Sequence, residues 1–358
     1  MTLDSSTPSL AAVDLFCGVG GKTHGFIKAG VPVILGIDND STCQFAYERN
    51  NPGTKFLCKD IARISSDEIA AWYPRNGLRV LIGCAPCQPF STYSYRYRTQ
   101  NTAHRRWHLL TKFGKIVSEI QPDIVSIENV PTLARPQHLV FKRFIQTLTN
   151  IGYHVNCEIV RCADYGVPQS RERLVLLASR LGPISLMPPT YSVNNYVTVA
   201  QSIGSLPPIE AGASPVDGDR LHQSCGLSAL NLRRIRATPE GGGWQDWPKS
   251  LRLACHQRSS GKTYPSVYGR MKWDDLAPTI TTQCYGLGNG RFGHPQQDRA
   301  ISLREAALLQ TFPADYQFAP EGAPILFKHI GRHIGNAVPV SLGTAIGLSI
   351  IEHVRQIF

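Results

Sequence analysis

The first half of the chain alternates short apolar runs with helix-length segments, and this alternation constrains the fold more than any other feature. The apolar runs have the length of buried strands and lie at Leu10–Phe16, Val31–Ile37, Val80–Gly83, Ile124–Glu128 and Leu174–Ala178. Helix-length patterns fall between them at Lys22–Ala29, Ser41–Asn50, Leu109–Ile120 and His138–Asn150. A repeated strand-then-helix order predicts a doubly wound α/β sheet.

The character of the chain changes after residue 181. Prolines and glycines become frequent there, and the strand-then-helix order is lost. An apolar helical pattern returns over Ile334–Phe358, which we expect to pack back onto the first domain. The predicted organisation is therefore a first domain of residues 1–188 plus 328–358, and a second, smaller and loop-rich domain of residues 189–327.

The charge of the chain indicates a polyanionic partner. It carries 37 lysines and arginines against 26 aspartates and glutamates, a formal net charge of +11 with the histidines neutral. Much of the excess lies in two stretches: Gln88–Ser118 has six basic residues and no acidic ones, and Arg220–Trp273 has ten basic residues against two acidic ones. Two separate positive stretches favour nucleic acid as the partner.

The cysteines and the hydropathy pattern indicate a reduced, cytoplasmic protein with no membrane contact. Ten cysteines in 358 residues are too dilute for a disulfide framework. The sequence shows no N-terminal signal pattern and no uninterrupted apolar run of about 18 residues. The CxxC spacing of Cys84 and Cys87 keeps thioredoxin-like redox chemistry as an alternative, although the basic stretches have no place in it.

A zinc site is a second alternative, with ligands from Cys225, Cys255, His256 and Cys284. Structural zinc sites bring their ligands together through tight sequence spacing. Within this group only Cys255 and His256 are close in sequence, and they are adjacent. We therefore predict no metal site.

A glycine-rich turn follows the first predicted strand. The segment from Asp14 to Gly21 reads DLFCGVGG, and its glycines allow a tight turn and the close approach of a ligand. Asp38 ends the second predicted strand, where an acidic side chain is placed to bind ribose hydroxyls. A nicotinamide dehydrogenase shares these features, but the spacing here differs from its G-x-G-x-x-G pattern.

Two further residues of this region suit an adenosine-containing cofactor. Phe16 offers a flat face for an adenine ring, and Asp60 can accept a hydrogen bond from the adenine amino group. The cofactor-binding residues predicted at these strand ends are Phe16, Gly18, Val19, Gly20, Gly21, Asp38, Asn39, Asp60 and Ile61.

Cys87 is the candidate nucleophile. It lies in the segment GCAPCQPFS, just past the end of the predicted strand Val80–Gly83, where open α/β sheets bind their ligands. Pro86 restrains the backbone on one side of the thiol, and Gln88 follows on the other. An isolated cysteine is more often a small core residue. The other motifs of the chain favour the reactive interpretation.

Eight motifs together carry a family resemblance. They occur in the order DLFCGVGG, GIDND, KDI, GCAPCQPFS, IENVP, QSRERL, LREAALLQTFP and IGNAVP. This series closely resembles that of the DNA (cytosine-5)-methyltransferases, in the prokaryotic, restriction-modification style. The resemblance spans nearly the whole chain and leaves out mainly residues 189–300, where members of the family differ according to their target.

The resemblance implies a Rossmann-like methyltransferase domain that binds S-adenosylmethionine and a smaller target recognition domain. It implies that Cys87 adds as a thiolate to C6 of cytosine, so that C5 can attack the methyl group and S-adenosylhomocysteine is left. Glu128 would hold a proton toward the cytosine ring. Arg171 would contact the cytosine and Arg173 would support the catalytic site. Pro86 and Asn336 join the predicted cofactor-binding residues.

A cytosine in duplex DNA must leave the base stack before C5 and C6 become reachable. We expect Ser91–His108 to form a mobile loop that closes over the DNA backbone. His104 stands where family loops commonly carry an acidic residue. Residues 189–300 are expected to read the target, as one recognition unit. The predicted nucleic-acid contacts are Gln88, Ser91, Arg105, Arg106, Arg233, Arg234 and Arg270.

The resemblance favours double-stranded DNA as the substrate and a monomer acting on it. A restriction endonuclease that acts on the same site without stable contact is an expected companion. A branch of the family methylates transfer RNA and is the first alternative. A nicotinamide oxidoreductase and a catalytically inactive DNA-binding regulator are the other two. Neither of these last two assigns a function to Cys87.

Overall fold

The structure is a computed structural model that describes residues 8–86, 100–215, 218–258 and 264–358, with only the backbone of residues 100–107. The chain forms two compact units. The first comprises the chain up to Tyr165 together with Glu172–Thr190 and Val338–Phe358, and the second comprises Gly166–Arg171 and Tyr191–Ala337.

The described residues of the first unit form a seven-stranded sheet with the strand order β3-β2-β1-β4-β5-β7-β6. Strands β1 to β5 run parallel, and β7 runs antiparallel to both β5 and β6. The strands are β1 Leu10–Leu15, β2 Val33–Asp38, β3 Lys55–Cys58, β4 Leu78–Gly83, β5 Ile124–Asn129, β6 His154–Arg161 and β7 Glu172–Ser179. The predicted α/β sheet is confirmed, with its five predicted strands in place.

Strands β3 and β6 escaped the sequence interpretation because they lie at the two edges of the sheet. An edge strand buries little of its surface, so its sequence need not form an apolar run. In β6 only Val160 is fully buried, and Ile159 is half exposed. Strand β6 therefore carries no clear alternation of buried and exposed residues that the sequence could reveal.

Ten α-helices lie in the described residues: α1 Gly21–Ala29, α2 Gln44–Asn50, α3 Ser66–Ala70, α4 Gln100–Ile120, α5 Leu139–Asn150, α6 Val199–Ile203, α7 Ala229–Arg236, α8 Leu303–Leu309, α9 Phe327–Asn336 and α10 Val340–Ile357. The prediction of a mobile loop over Ser91–His108 is wrong for residues 100–108, because they belong to α4. No proline or glycine interrupts 100–113, so the helix extends toward the N-terminus from its apolar half.

The last two helices belong to different units. Helix α9 ends at Asn336, and Pro339 is the N-cap residue from which α10 begins. Helix α9 packs within the second unit, where a Cβ on Gly335 would lie 2.2 Å from the carbonyl carbon of Thr281. Residues 328–337, which the sequence interpretation grouped with the first domain, thus pack with the second unit.

Helix α10 packs against α1 in the first unit at very short distance. A Cβ on Gly25 would lie 2.5 Å from the carbonyl oxygen of Val340 and 2.6 Å from the amide nitrogen of Thr344.

Among the described residues, one stretch is long and apolar enough to cross a membrane; it is Phe327–Ile357, which spans α9 and α10. Of its most apolar window 72% is buried, as in the core helix of a globular protein.

The second unit contains short helices and long loops, as predicted. Its described residues form isolated β-bridges rather than extended strands. Buried arginines bind its loops together instead. Arg299 is fully buried, and its guanidinium donates to both carboxylate oxygens of Glu305, each at 2.7 Å.

The α1–α10 contact yields a stability prediction. We expect Gly25→Ala to lower the free energy of unfolding by about 1–3 kcal/mol, because the added methyl group must displace the backbone of α10. Gly226→Ala is the matched control, since its Cβ would find its nearest neighbour, the Cα of Gly212, at 3.9 Å. Urea denaturation measures both. Equal stability of the Gly25→Ala variant and the original protein would refute the close approach.

Candidate active site

The turn after β1 is held against the end of β2. Phe16, Gly18 and Gly20 all have positive φ, at 62°, 52° and 88°. The amide of Gly18 donates to Asp38 Oδ2 at 2.9 Å, and the amide of Asp40 donates to Asp38 Oδ1 at 3.0 Å. One carboxylate therefore fixes both the glycine turn and the chain beyond β2.

The other residues predicted for the cofactor in this unit lie at the same edge of the sheet. Asn39 follows Asp38 directly, and the amide of Lys59 donates to the Asp38 carbonyl oxygen at 2.9 Å. This bond brings the next residue, Asp60, beside the end of β2. Asp60 Oδ1 accepts a hydrogen bond from the amide of Ala62, so one of its oxygens shapes the local turn.

Asp14 lies buried beneath the glycine turn. Thr23 Oγ1 donates to Asp14 Oδ2 at 2.7 Å, and the same hydroxyl lies 3.0 Å from the Tyr47 hydroxyl. Burial raises the pKa of Asp14 from its ordinary value of 3.8 to about 7, against the opposing effect of Lys22. The site thus contains a carboxyl group that titrates close to neutral pH.

Glu128 is buried near the end of β5 and is contacted from two sides. Cys84 Sγ donates to Glu128 Oε2 at 2.8 Å, and Arg173 Nε lies 2.6 Å from Glu128 Oε1. The Arg173 contact is an ion pair without the angle of a good hydrogen bond. Glu128 is only 2% exposed, so these two partners hold it in one place.

The chain leading to Cys87 is tied to the same strand. Asn129 Nδ2 donates to the carbonyl oxygen of Ala85 at 2.9 Å, next to the Cys84 contact with Glu128. Pro86 follows, half buried, as the last described residue of this segment. The structure therefore places Cys84 and Ala85, the third and second residues before Cys87, against the strand that carries Glu128.

Several predicted site residues lie outside the described part of the chain. Cys87, Gln88 and Ser91 are not described, and for Arg105 and Arg106 only the helical backbone of α4 is described. Their roles stay predictions.

The comparisons with known proteins decide the family. A family model described as C-5 cytosine-specific DNA methylase matches residues 10–352. The chain belongs to this family. It is therefore a cytosine-5 DNA methyltransferase, as its motif series indicates.

Two relatives show how far the likeness extends. The methyltransferase is 54% identical to the type II methylase M.HgiDII of Herpetosiphon aurantiacus, over 95% of this chain and 94% of that protein. It is 30% identical to the type II methyltransferase M.XorII of Xanthomonas oryzae pv. oryzae, over 96% of this chain and 85% of that protein.

Solved structures show the same Rossmann-like methyltransferase fold. An Escherichia coli prophage protein described as a putative DNA modification methyltransferase matches with a TM-score of 0.73 and 22% identity, over 96% of this chain and 99% of that one. A mutant of the DNMT2 of Spodoptera frugiperda matches with a TM-score of 0.60 and 17% identity, over 97% and 99%.

The two arginines of the methyltransferase's QSRERL motif have different surroundings. Arg173 lies on β7 in the first unit, beside Glu128. Arg171 precedes that strand and packs in the second unit, where it donates to the carbonyl oxygens of Ile280 at 3.1 Å and Ala337 at 3.3 Å. Arg173 therefore contacts the candidate catalytic carboxylate, as its predicted supporting role requires.

Asn336 also belongs to the second unit. It is the last residue of α9 and is exposed. Its predicted contact with the cofactor stays a prediction.

Arg270 has a structural role in the methyltransferase, which corrects its sequence assignment to DNA. It is 5% exposed, and each of the five N–H groups of its guanidinium has an acceptor within the second unit. The acceptors are the carbonyl oxygens of Thr238, Ile235, His294 and Gln297 and the carboxylate of Asp298. No N–H group is left for a base or a phosphate.

The other two arginines predicted to read DNA differ in exposure. Arg234 is half buried; its Nε donates to the Leu251 carbonyl oxygen at 3.0 Å, and its guanidinium lies 5.4 Å from the Trp247 ring centroid. Arg233 precedes it on α7 and is exposed. Arg233 is thus the better placed of the two for a nucleic-acid contact.

Sequence reasoning missed three residues of the site. The sequence presents Cys84 only as half of a CxxC pair, does not single out Asn129 within IENVP, and shows Lys22 only as the first residue of a helix-length pattern. Lysine is ordinarily exposed, so nothing in the sequence marked Lys22 as buried. Asn129 could have been found, because it directly follows the predicted acid at the end of an apolar strand.

The raised pKa of Asp14 gives the methyltransferase a pH-dependent stability. Because the folded state holds this proton more tightly than the unfolded state, Asp14 favours folding most at low pH, and this contribution is lost as pH rises from about 4 to about 7. We expect the stability difference between the original protein and Asp14→Asn to fall across that window.

Urea denaturation at pH 4.5, 6 and 7.5 measures this difference. Asp274→Asn, at an exposed position, should show no such trend. A difference for Asp14→Asn that stays constant with pH would contradict the raised pKa.

Proposed function

We propose that this enzyme methylates C5 of cytosine in double-stranded DNA, with S-adenosylmethionine as the methyl donor and Cys87 as the covalent nucleophile. The observation that carries the proposal is the placement of Glu128. Glu128 is buried, forms an ion pair with Arg173 and accepts a hydrogen bond from Cys84. Cys84 lies three residues before Cys87. In a family member, this contact ties the predicted acid to the segment that leads to the predicted nucleophile.

The glycine turn fits the donor. Gly18 has a positive φ, and a Cβ built on it meets no atom within 4 Å, so the turn faces open space that a ligand can fill. The half-buried Asp38 carboxylate accepts from the Gly18 amide and offers an acceptor for ribose hydroxyls. Phe16, Asp38 and Asp60 would hold the adenosine part of the donor. When bound, S-adenosylmethionine supplies an electrophilic methyl group and is left as S-adenosylhomocysteine.

The protein must supply electrons to a ring carbon that is a poor nucleophile. The Cys87 thiolate forms a bond to C6 of the cytosine, and the electrons of the C5–C6 double bond become available at C5. After C5 has gained its methyl group, the proton on C5 leaves, to water in the simplest case. The electrons of that C–H bond re-form the C5–C6 double bond and expel Cys87.

Glu128 stabilises the negative charge that develops on the ring during addition. Its carboxyl group would donate a proton toward cytosine N3, which has a lone pair and no hydrogen, and would accept from the amino group. Because a carboxyl oxygen has two lone pairs, Oε2 can do this while it also accepts from Cys84. The Arg173 ion pair fixes the carboxyl plane from the opposite oxygen. Preorganised groups of this kind contribute to catalysis because they need no reorientation as charge develops.

Substrate DNA is engaged by the second unit in this proposal. The cytosine is extruded from the duplex, and the second unit reads the surrounding sequence, with Arg233 among its contacts. The type II names of the relatives support a modification role beside a restriction endonuclease that acts on the same sequence. The enzyme acts on DNA as a monomer in the cytoplasm.

The test of the reaction uses S-adenosylmethionine with a tritiated methyl group, offered with mixed-sequence duplex DNA and, separately, with transfer RNA. We expect label in DNA, and bisulfite sequencing should place it at cytosines of one short sequence. Label in transfer RNA alone would favour the RNA-methylating branch of the family, and no label in either would contradict the proposal.

The nucleophile has its own test. Cys87→Ser should reduce methyl transfer more than roughly a thousandfold, as loss of a catalytic nucleophile does elsewhere, and should retain S-adenosylmethionine binding. Cys255→Ser, at an exposed cysteine, is the matched control and should keep full activity. Substantial turnover by the Cys87→Ser variant would exclude the covalent mechanism.

Arg233 and Arg270 provide a matched pair for the role of the second unit. Arg233→Met should keep the thermal stability and lower DNA affinity, with the slope of log affinity against log salt reduced by about one. Arg270→Met should cost about 3–5 kcal/mol of stability, because it leaves buried carbonyl groups without donors. Thermal unfolding and DNA titration at several salt concentrations measure both. A stable Arg270→Met variant with weakened DNA binding would reverse the assignment.

A further inference from the structure

Lys22 is a buried lysine at the start of α1, directly after the glycine turn. Only 3% of its surface is exposed. Its ammonium donates to the carbonyl oxygen of Gly83 at 3.3 Å, to the carbonyl oxygen of Ser126 at 3.1 Å and to the Ser126 hydroxyl at 3.3 Å. An ammonium has three N–H donors, so each of them has an acceptor here.

This arrangement is costly for stability alone. Burial lowers the pKa of Lys22, although electrostatic interactions with Asp14, Cys84 and Glu128 oppose that effect. The ring of Phe26, 5.7 Å from Nζ, adds a weak favourable contact. Because an apolar side chain of similar length would fill the space without desolvating a charge, core stability does not explain a lysine at this position.

The positions of its acceptors suggest another role. Gly83 ends β4, four residues before Cys87, and Ser126 lies on β5, two residues before Glu128. Lys22 itself follows Gly21 at the beginning of the helix that the glycine turn opens. A single ammonium therefore joins three parts of the site. They are the cofactor turn, the strand β4 that leads to the candidate nucleophile, and the strand β5 that carries the candidate acid.

We propose that Lys22 is a positioning residue of the methyl-transfer reaction, whose ammonium fixes the separation of the β4 and β5 ends and ties both to the cofactor turn. This inference rests on the proposed function. Lys22 does not touch the reacting atoms; it acts through the backbone at Gly83 and Ser126. Misplacement of catalytic groups by about 1 Å can cost about a hundredfold in rate. A change at Lys22 should therefore appear in the rate of the chemical step.

Lys22→Met keeps the length of the side chain and removes the donors. We expect its single-turnover rate of methyl transfer, at saturating S-adenosylmethionine and DNA, to fall about 10- to 100-fold. The dissociation constant for S-adenosylmethionine should change less than about threefold, because the Gly18–Asp38 bond still holds the turn. Thermal unfolding should show no loss of stability. Lys28→Met, on the exposed side of the same helix, should match the original enzyme.

Ser126→Ala probes the same contact from the other side, because it removes the hydroxyl acceptor and keeps the carbonyl. We expect a smaller loss of rate, and no further loss when it is added to Lys22→Met, because both changes break one interaction. If Lys22→Met fails to fold, Ser126→Ala alone decides: slower methyl transfer with unchanged cofactor affinity supports the inference, and an unchanged rate overturns it.

Two results with folded variants would overturn the inference. One is a Lys22→Met rate within twofold of the original, and the other is a loss confined to cofactor affinity. Failure of the proposed function would look different, because the unmodified enzyme would then transfer no methyl group to DNA.

Discussion

The site depends on the pairing of Leu15 with Gly83 at the carboxyl ends of β1 and β4. In the strand order, β2 and β3 lie on one side of β1, and β4 and β5 lie on the other. The chains that follow β1 and β4 therefore leave the sheet in opposite directions, and a crevice for ligands opens between them. Gly83 has no side chain to separate the strands; a Cβ there would lie 3.0 Å from the Leu15 carbonyl oxygen and 2.7 Å from the Phe113 ring. The glycine turn and the segment leading to Cys87 therefore begin side by side.

Around this pair, a few polar side chains convert strand ends into a site. Asp38 holds the glycine turn, Asn129 holds the segment before Cys87, and Lys22 joins the ends of β4 and β5. All of them bind backbone groups, and Lys22 also binds the Ser126 hydroxyl. Such bonds set where the chain goes after each strand, and thereby position Glu128 and the segment that leads to Cys87.

The sequence was informative where structure is local. The buried parallel strands form mainly apolar runs, the glycine turn follows β1, and Asp38 and Glu128 lie at the ends of β2 and β5, so these two acids could be placed from sequence. Arg270 shows the limit of that reasoning. A basic residue in a basic, glycine-rich stretch suggests DNA, but its five acceptors come from positions between 235 and 298 and depend on how the loops fold. The edge strand β6 and the buried Lys22 were hidden for the same reason, since both depend on tertiary surroundings.

The second unit is assembled from two separate pieces of chain, and under its proposed role in reading the target this limits how sequence specificity could be transplanted. The hexapeptide Gly166–Arg171, between β6 and β7, belongs to it together with Tyr191–Ala337. Within that hexapeptide the Gln169 amide donates to the Leu309 carbonyl oxygen at 2.6 Å and accepts from the Ile280 amide at 2.9 Å. In a chimaera that exchanged only Tyr191–Ala337, the native Gln169 would have to make these hydrogen bonds with loops from another protein. Hybrid enzymes with a new target sequence should therefore carry both pieces from the same parent.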